Sequence, residues 1–471
     1  MNKLFGTDGV RGLANSELTP ELAFRLGRAG AYVLMNDGSC AGYENKGAPK
    51  ILIGADSRLS GGMLEAALTA GMCSVGARAY WAGVIPTPAI ACLVRQYKAN
   101  AGVMISASHN PMQDNGIKFF NSGGYKLADA LEDKIEELIS RNPETEKDGL
   151  PRPVGAEVGT RSDCVSAVAD YVGFLKRETL SASGIPEKEF RDCLSGMKIA
   201  VDCANGATSE AAPRILRELG ARVFVIHNEP DGININRECG STYINSITEY
   251  VRETGADIGL AFDGDGDRLL CVDENSGIVD GDQIMSICGC DLKERGLLKK
   301  GVMVATVMSN LGLDIMCEKQ GIELVKAAVG DRYVLETMLD YGYNFGGEQS
   351  GHIIFLDHTT TGDGIFTALY LLTALKKSGK PLSKLRRMEA LPQCLIGARI
   401  PNERKRDFMD NAAIRDEIKK INDKYTGSGR VLIRPSGTEP LVRVMIEGMD
   451  RESVEADAKR LASLIERTLN G

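Results

Sequence analysis

Apolar positions along this chain group into short runs of four or five, and into longer segments where they recur every three to four residues; the two kinds alternate. Such alternation predicts strands and helices in turn, hence α/β layers built on parallel or mixed sheets. In the first third, residues 51–54 and 101–105 read as strands and 62–75 as a helix. Residues 117–120 read as one arm of a hairpin ahead of the turn Asn121-Ser122-Gly123-Gly124. The middle repeats the pattern with a helix near 164–177, a strand at 198–202, a helix near 209–219 and a strand at 222–226. It recurs after residue 276 as a strand at 302–306, a helix near 311–319 and a strand at 322–325. These three stretches have similar lengths and read as variants of one unit. Beyond about Leu391 the order becomes strand, helix, strand, turn, strand, helix, which predicts an α+β tail. With the polar, proline-marked stretch 142–161 as the first boundary, the expected domains are 1–162, 163–275, 276–390 and 391–471.

One interruption of the pattern carries chemistry. Between the strand-like runs 255–262 and 269–272 lies Asp263-Gly264-Asp265-Gly266-Asp267-Arg268. Three carboxylates at alternate positions on a glycine-rich turn can converge on one hard cation. An EF-hand loop would also put Glu274 at its twelfth position, but its sixth position needs glycine and here holds Arg268, and strands replace the flanking helices. A solvated acidic turn is the other plain reading. Three carboxylates leave octahedral positions open, and magnesium fills such positions with water or a phosphate oxygen. The expected ion is therefore Mg2+, with a phosphate beside it.

Composition narrows the partners. The 471 residues are 43% hydrophobic and 25% charged, the content of an ordinary soluble protein. A net charge of -8 leaves no basic face for nucleic acid or anionic lipid, so any phosphate is bound locally. The start has no apolar signal region and no run of 18 apolar residues occurs, so the expected location is the cytosol. Twelve cysteines are scattered through apolar segments, and Cys288-Gly289-Cys290 lies in an expected helix, which suits core packing better than disulfides or zinc.

Four further loops carry candidate groups. Ser106-Ala107-Ser108-His109-Asn110-Pro111 follows an expected buried strand, where α/β proteins place ligands, and makes Ser108 a candidate nucleophile; a capped turn is the bland alternative. Without a G-x-S-x-G elbow a serine hydrolase is not favoured. Lys118 reads either as a solvated edge charge or, near a phosphoryl group and metal, as a lysine of lowered pKa that shuttles a proton. Gly347-Glu348-Gln349-Ser350-Gly351-His352 offers a carboxylate, an amide and a hydroxyl within three residues, which suits sugar hydroxyls. Arg434-Pro435-Ser436-Gly437-Thr438-Glu439-Pro440, with Arg443 beyond, combines guanidinium forks, hydroxyls and freed backbone amides in a nest fit for phosphate.

Together and in this order, these loops resemble the α-D-phosphohexomutase superfamily, and the resemblance covers essentially the whole chain. Phe5-Gly6-Thr7-Asp8-Gly9-Val10-Arg11-Gly12, Gly330-Asp331-Arg332-Tyr333-Val334 and Gln349 are similar to the bacterial members acting on glucosamine phosphates. Members acting on glucose or mannose phosphates tend to carry methionine or glutamate where Gln349 stands. The resemblance implies three similar α/β mixed-sheet domains plus a C-terminal α+β domain around a central cleft, in a heart-shaped monomer, with a homodimer also open. It implies phosphoserine at Ser108, whose oxygen completes one Mg2+ site per chain with Asp263, Asp265 and Asp267.

The implied reaction follows. The phosphoryl group passes from Ser108 to the 1-hydroxyl of glucosamine 6-phosphate, with Arg11 and Arg268 offsetting charge and Lys118 moving the proton. His109 stands with Ser108, Lys118 and Arg11 among the catalytic candidates. A hexose 1,6-bisphosphate intermediate then turns round and returns its 6-phosphate, leaving glucosamine 1-phosphate for UDP-N-acetylglucosamine and cell-wall synthesis. Glu348, Gln349 and Ser350 would bind the sugar, while Arg434, Ser436, Gly437, Thr438 and Arg443 would hold the phosphate that is not reacting. The alternatives are a mutase of mannose or glucose phosphates with the same machinery, and a non-catalytic sugar-phosphate-binding protein, which would not need Ser108, Lys118 and all three aspartates. Residues 36–49 make a longer connection than the superfamily pattern and are expected to form a surface loop.

Overall fold

The structure is a computed structural model that describes residues 3–6, 8–36, 48–141, 149–436 and 440–470, so most of the 36–49 connection lies outside it. Among the described residues, four sheets follow one another along the chain. The first holds β1 (Val10–Leu13), β2 (Lys50–Ala55), β3 (Arg78–Val84), β4 (Ala101–Ile105), β5 (Asp114–Asn121) and β6 (Arg161–Asp163), ordered β1-β5-β4-β2-β3-β6. Its strands β4, β2, β3 and β6 run parallel, and β5 is antiparallel to both β4 and β1. The second holds β7 (Lys198–Asp202), β8 (Arg222–Ile226), β9 (Ile258–Phe262), β10 (Leu269–Asp273) and β11 (Ile278–Val279), ordered β11-β10-β9-β7-β8. The third holds β12 (Val302–Thr306), β13 (Glu323–Ala327), β14 (Phe345–Gly347) and β15 (Ile353–Phe355), ordered β13-β12-β14-β15. Each of these three sheets has a parallel core with antiparallel strands on one side, the mixed α/β unit expected three times. β4, β9 and β12 are buried at every residue, as strands covered on both faces must be, which is why they read as unbroken apolar runs.

The chain forms two compact units, Met1–Val307 with Glu323–Arg386, and Met308–Ile322 with Arg387–Gly471. In the second unit β16 (Gln393–Arg399), β17 (Gly429–Pro435) and β18 (Leu441–Gly448) make an antiparallel sheet. Helices Ala412–Tyr425 and Arg451–Asn470 bury Ile414, Ile421, Leu461 and Ile465 with Val442 and Val444 of that sheet. This is the expected α+β tail, enlarged by residues 308–322. The Asn310 amide donates to Leu391 O at 3.0 Å and the Arg430 guanidinium donates to Ser309 O at 2.5 Å, so side-chain bonds tie that segment to the tail.

Two local expectations need correction. Residues 117–120 do not pair mainly across the 121–124 turn: β5 has β4 on one side and β1 on the other, which leaves no free edge for a returning arm beyond a single Phe120–Lys126 bridge. The helix expected near 164–177 is Ala167–Ser183, because Cys164 is still held extended by its N–H donating to Trp81 O at 2.7 Å. Cys288 and Cys290 are both buried in helix Gly281–Glu294. No helix among the described residues is long and apolar enough to cross a membrane.

Asp363 caps helix Gly364–Ser378 by accepting from Phe366 N at 2.9 Å, and the Tyr171 hydroxyl donates to its carboxyl at 2.9 Å. Burial pushes this carboxyl up to about 6. Between about pH 4 and 6 the unfolded chain releases this proton and the folded chain keeps it, so the stability the group contributes at low pH is lost as pH rises through that window. Asp363→Asn, which still caps, is expected to gain about 2–3 kcal/mol over the parent across the window. Thermal unfolding from pH 4 to 7 checks this; parallel profiles would refute it.

Candidate active site

β2 and β4 are neighbouring parallel strands with Ala55 opposite Ile105, so the loops leaving their C-terminal ends emerge side by side. Ser106 Oγ donates to Asp56 Oδ2 at 2.6 Å and accepts from Ser108 N at 2.8 Å. The buried Arg58 guanidinium pairs with Asp56 at 2.9 Å and donates to the carbonyls of Ser108 at 3.0 Å, Asn110 at 2.8 Å and Asp114 at 3.0 Å, and also to that of Pro111. One cation thus gathers the whole serine loop. Ser108 itself is left-handed at φ 53°, a conformation costing a non-glycine residue about 1–2 kcal/mol, which the loop's bonds offset. Arg58→Met should release the loop, lowering kcat about 100-fold and stability by about 3 kcal/mol, since it leaves Asp56 buried without its cation. Steady-state kinetics and thermal unfolding measure both.

The acidic turn arises in the same way, at the end of β9 beside its parallel neighbour β7. A Cβ on Gly264 would lie 2.6 Å from Ser108 O, so only glycine lets the two loops touch. The Ser108 hydroxyl donates to Asp263 Oδ2 at 2.7 Å. Oxygens of Asp263, Asp265 and Asp267 come within 4.8 Å of one another, and the three residues are at most 5% exposed. Asp265 Oδ1 and Asp267 Oδ1 are buried with no hydrogen-bond partner. Burial, then the neighbouring Asp267 and Asp265, push the Asp263 carboxyl well above the usual range. Crowded buried carboxylates with unused oxygens need a cation, and an all-oxygen set suits a hard divalent one such as magnesium. Glu274 instead accepts from the Ser383 backbone at 3.2 Å and from its hydroxyl, away from this cluster, as rejection of the EF-hand requires.

Lys118, on β5 and 1% exposed, places Nζ 2.9 Å from Asp265 Oδ2 and 2.9 Å from Asp8 Oδ2. Thr87 Oγ1 also donates to Asp265 Oδ2, at 2.6 Å. The lowered lysine pKa expected from the sequence is not what these surroundings produce. Burial works to lower it, but Asp265 and Asp8 outweigh that and hold it raised, so the side chain is an ammonium. His109 is the reverse case. Burial, then the positive Arg268 and Arg11, hold it down to about 4, so a neutral imidazole stands with Nδ1 3.3 Å from Ser108 Oγ. Arg11 pairs with Asp8, and the backbone N–H of Arg268 donates to Asp263 Oδ1 at 3.2 Å.

The loop between β14 and β15 joins this cluster. Arg268 and His352 form an antiparallel bridge, and Leu269 N donates to Gly351 O at 3.0 Å. Glu348 accepts from Gly330 N at 3.1 Å, Gln349 reaches Asp280 at 3.4 Å through its amide, and Ser350 is exposed. In the second unit, Arg434 and Arg443 are cross-strand partners on β17 and β18. Ser436 there is buried, with its N–H donating to Leu441 O at 2.9 Å and its carbonyl accepting from Lys405 at 2.6 Å. Gly437 and Thr438 lie outside the described residues.

Sequence reading missed Asp56, Arg58, Thr87, Lys126 and Asn236, whose amide donates to Ser108 O at 2.8 Å. Asp56 and Arg58 had an available signal: they follow a strand of the same apolar type as the one before Ser108. Asn236 and Lys126 had none, because only folding brings them near.

A serine hydroxyl bonded to an acidic triad thus lies on a chain of three mixed α/β sheets followed by an α+β tail. Family descriptions of phosphoglucomutase/phosphomannomutase match in order: alpha/beta/alpha domain I at residues 2–146, domain II at 170–277, domain III at 280–391 and the C-terminal domain at 395–464. The chain belongs to this family. It is 58% identical over 471 residues to the phosphoglucosamine mutase of Ruminiclostridium cellulolyticum and 55% identical over 470 residues to that of Acetivibrio thermocellus, covering 100% of both chains in each case. Among solved structures it resembles a phosphoglucomutase/phosphomannomutase family protein of Burkholderia thailandensis, with a TM-score of 0.78 and 20% identity over 100% of this chain and 98% of that one. It also resembles the N-acetylphosphoglucosamine mutase of Aspergillus fumigatus in complex with GlcNAc-6P and magnesium, with a TM-score of 0.65 and 17% identity over 99% and 96%.

Proposed function

We propose that this chain interconverts glucosamine 6-phosphate and glucosamine 1-phosphate, carrying the phosphoryl group on Ser108 between the two halves of the reaction. The observation that carries the reading is the 2.7 Å contact from Ser108 Oγ to Asp263, inside a triad with two uncommitted oxygens. The name borne by relatives more than half identical supports the amino sugar as substrate. In the first half, the bond from phosphorus to Ser108 Oγ breaks as one forms to the sugar 1-oxygen. In the second, the 6-phosphate of the resulting 1,6-bisphosphate returns its phosphorus to Ser108 Oγ and frees the 6-hydroxyl. Magnesium held by Asp263, Asp265 and Asp267 would neutralise charge on the transferring oxygens.

The chain's own groups supply the rest. Lys118, charged at rest, gives its proton to the departing Ser108 oxygen and is refilled from the attacking sugar hydroxyl. Arg11 and Arg268 offset phosphoryl charge, and neutral His109 stands beside Ser108. Glu348, Gln349 and Ser350 bind the sugar, while Arg434, Ser436, Gly437, Thr438 and Arg443 bind the second phosphate. The domains 1–162, 163–275, 276–390 and 391–471 each contribute one of these loops. A water-soluble sugar phosphate as substrate suits a cytosolic enzyme.

Turnover of glucosamine, glucose and mannose 6-phosphates tests the reading: the highest kcat/KM is expected for glucosamine, and a preference for mannose overturns it. Dialysis against a chelator should cost at least about 100-fold in rate, restored by adding Mg2+.

A further inference from the structure

Asp8 takes no part in the reaction just described, yet its carboxylate meets three cations. Lys118 Nζ lies 2.9 Å from Oδ2, Lys126 Nζ lies 2.5 Å from Oδ1, and Arg11 contacts it as well. Lys126 continues to Asp331 at 2.5 Å, the first residue of helix Asp331–Tyr341. Asp265, Lys118, Asp8, Lys126 and Asp331 therefore form one line of alternating charge, with side chains from 0% to 19% exposed. The backbone is shaped for it: Gly9 has φ 79°, and a Cβ there would sit 2.4 Å from Ile117 O, so only glycine lets the Asp8 segment lie against β5 beside Lys118.

We propose that Asp8 is a positioning residue for phosphoryl transfer: its carboxylate holds the Lys118 ammonium against Asp265, and Lys126 with Asp331 holds Asp8. The inference rests on the role given to Lys118 under the proposed function. A lysine head on a flexible four-carbon stem does not keep one place when a single carboxylate attracts it. Two carboxylates on different sides define a point. Asp8 is also the shared counter-ion of Arg11, so one carboxylate sets the places of two groups that meet the phosphoryl oxygens. Removing its charge leaves Arg11, Lys118 and Lys126 repelling one another with no anion between them, and the easiest relief is movement of Lys118.

The test compares Asp8→Asn, Asp8→Glu and Lys126→Met with the parent enzyme. Asp8→Asn is expected to lower kcat about 100-fold with KM changed less than about threefold, as misplacement of a reacting group does. Asp8→Glu, which restores the charge one methylene away, should recover part of kcat, and Lys126→Met should lose about tenfold. In a crystal structure of Asp8→Asn, Lys118 Nζ should have shifted from the place it holds in the parent between Asp8 and Asp265. Should Asp8→Asn fail to fold, the Asp8→Glu and Lys126→Met kinetics decide, and parental kcat in both overturns the proposal. Parental kcat in Asp8→Asn, or Lys118 unmoved, also overturns it. A parent enzyme inactive on every hexose phosphate defeats the proposed function instead, and the position of Lys118 in the variant crystal then decides this inference alone.

Discussion

Replacing Ser108 with alanine is expected to lower kcat by at least about 10,000-fold and to leave the purified protein without a phosphoryl group on that loop. The hydroxyl donates to Asp263 at 2.7 Å, at the edge of the triad, where it can carry a phosphoryl group between half-reactions. Binding and electrostatics alone could not replace a covalent carrier. The fold should survive, because alanine at φ 53° meets about the same backbone cost as serine and the Arg58 bonds go to the loop's carbonyls. Peptide mass mapping after incubation with hexose 1,6-bisphosphate, together with rate measurements, provides the check. Activity within tenfold of the parent would remove Ser108 from the mechanism.

The second large effect is expected from Lys118→Met, which keeps the volume and deletes the charge. Asp265 and Asp8 would then face each other across a buried space without their shared cation, and breaking a buried pair in this way costs about 3–5 kcal/mol. The pH dependence has a definite sign. The lysine's raised pKa contributes stability present below its unfolded value of about 10.4, and lost as pH rises through the folded value. Asp8 and Asp265 have lowered values, so their contribution is present above about pH 4 and lost as pH falls through the folded values. The gap in melting temperature between Lys118→Met and the parent should therefore be constant from about pH 5 to 9 and shrink in more acid solution. Adding Asp265→Asn to the variant should recover part of the loss. A gap that widens in acid would mean that the aspartates are not Lys118's partners. Activity should fall about 100- to 1,000-fold, the share of a positioned proton carrier.

Much of the architecture was legible because its strands are covered on both faces and so carry continuous apolar letters. Ala101–Ile105, Ile258–Phe262 and Val302–Thr306 could be read for that reason. The hairpin expected at 121–124 failed because turn letters say that a chain reverses, not that an edge is free, and β1 had taken the edge of β5. The helix Leu311–Gln320 was legible as a helix, but the bonds linking Asn310 and Ser309 to the tail are invisible to periodicity.

What the sequence determined alone was the inventory of reactive groups and the ends of the elements carrying them. Spacing by two on a glycine turn put three carboxylates together, and an apolar strand ahead of Ser106-Ala107-Ser108 put a hydroxyl at a strand end. Tertiary structure alone decided which groups meet and in what charge state. Parallel pairing of β2 with β4 brought Arg58 to the serine loop, and the approach of the first sheet to the second brought the serine to the aspartates, across 155 positions of sequence. The raised pKa of Lys118 arises in the same way. A side chain's charge follows from burial weighed against neighbouring charges, and those neighbours, Asp8 and Asp265, are set by the packing of distant segments, which local pattern does not encode.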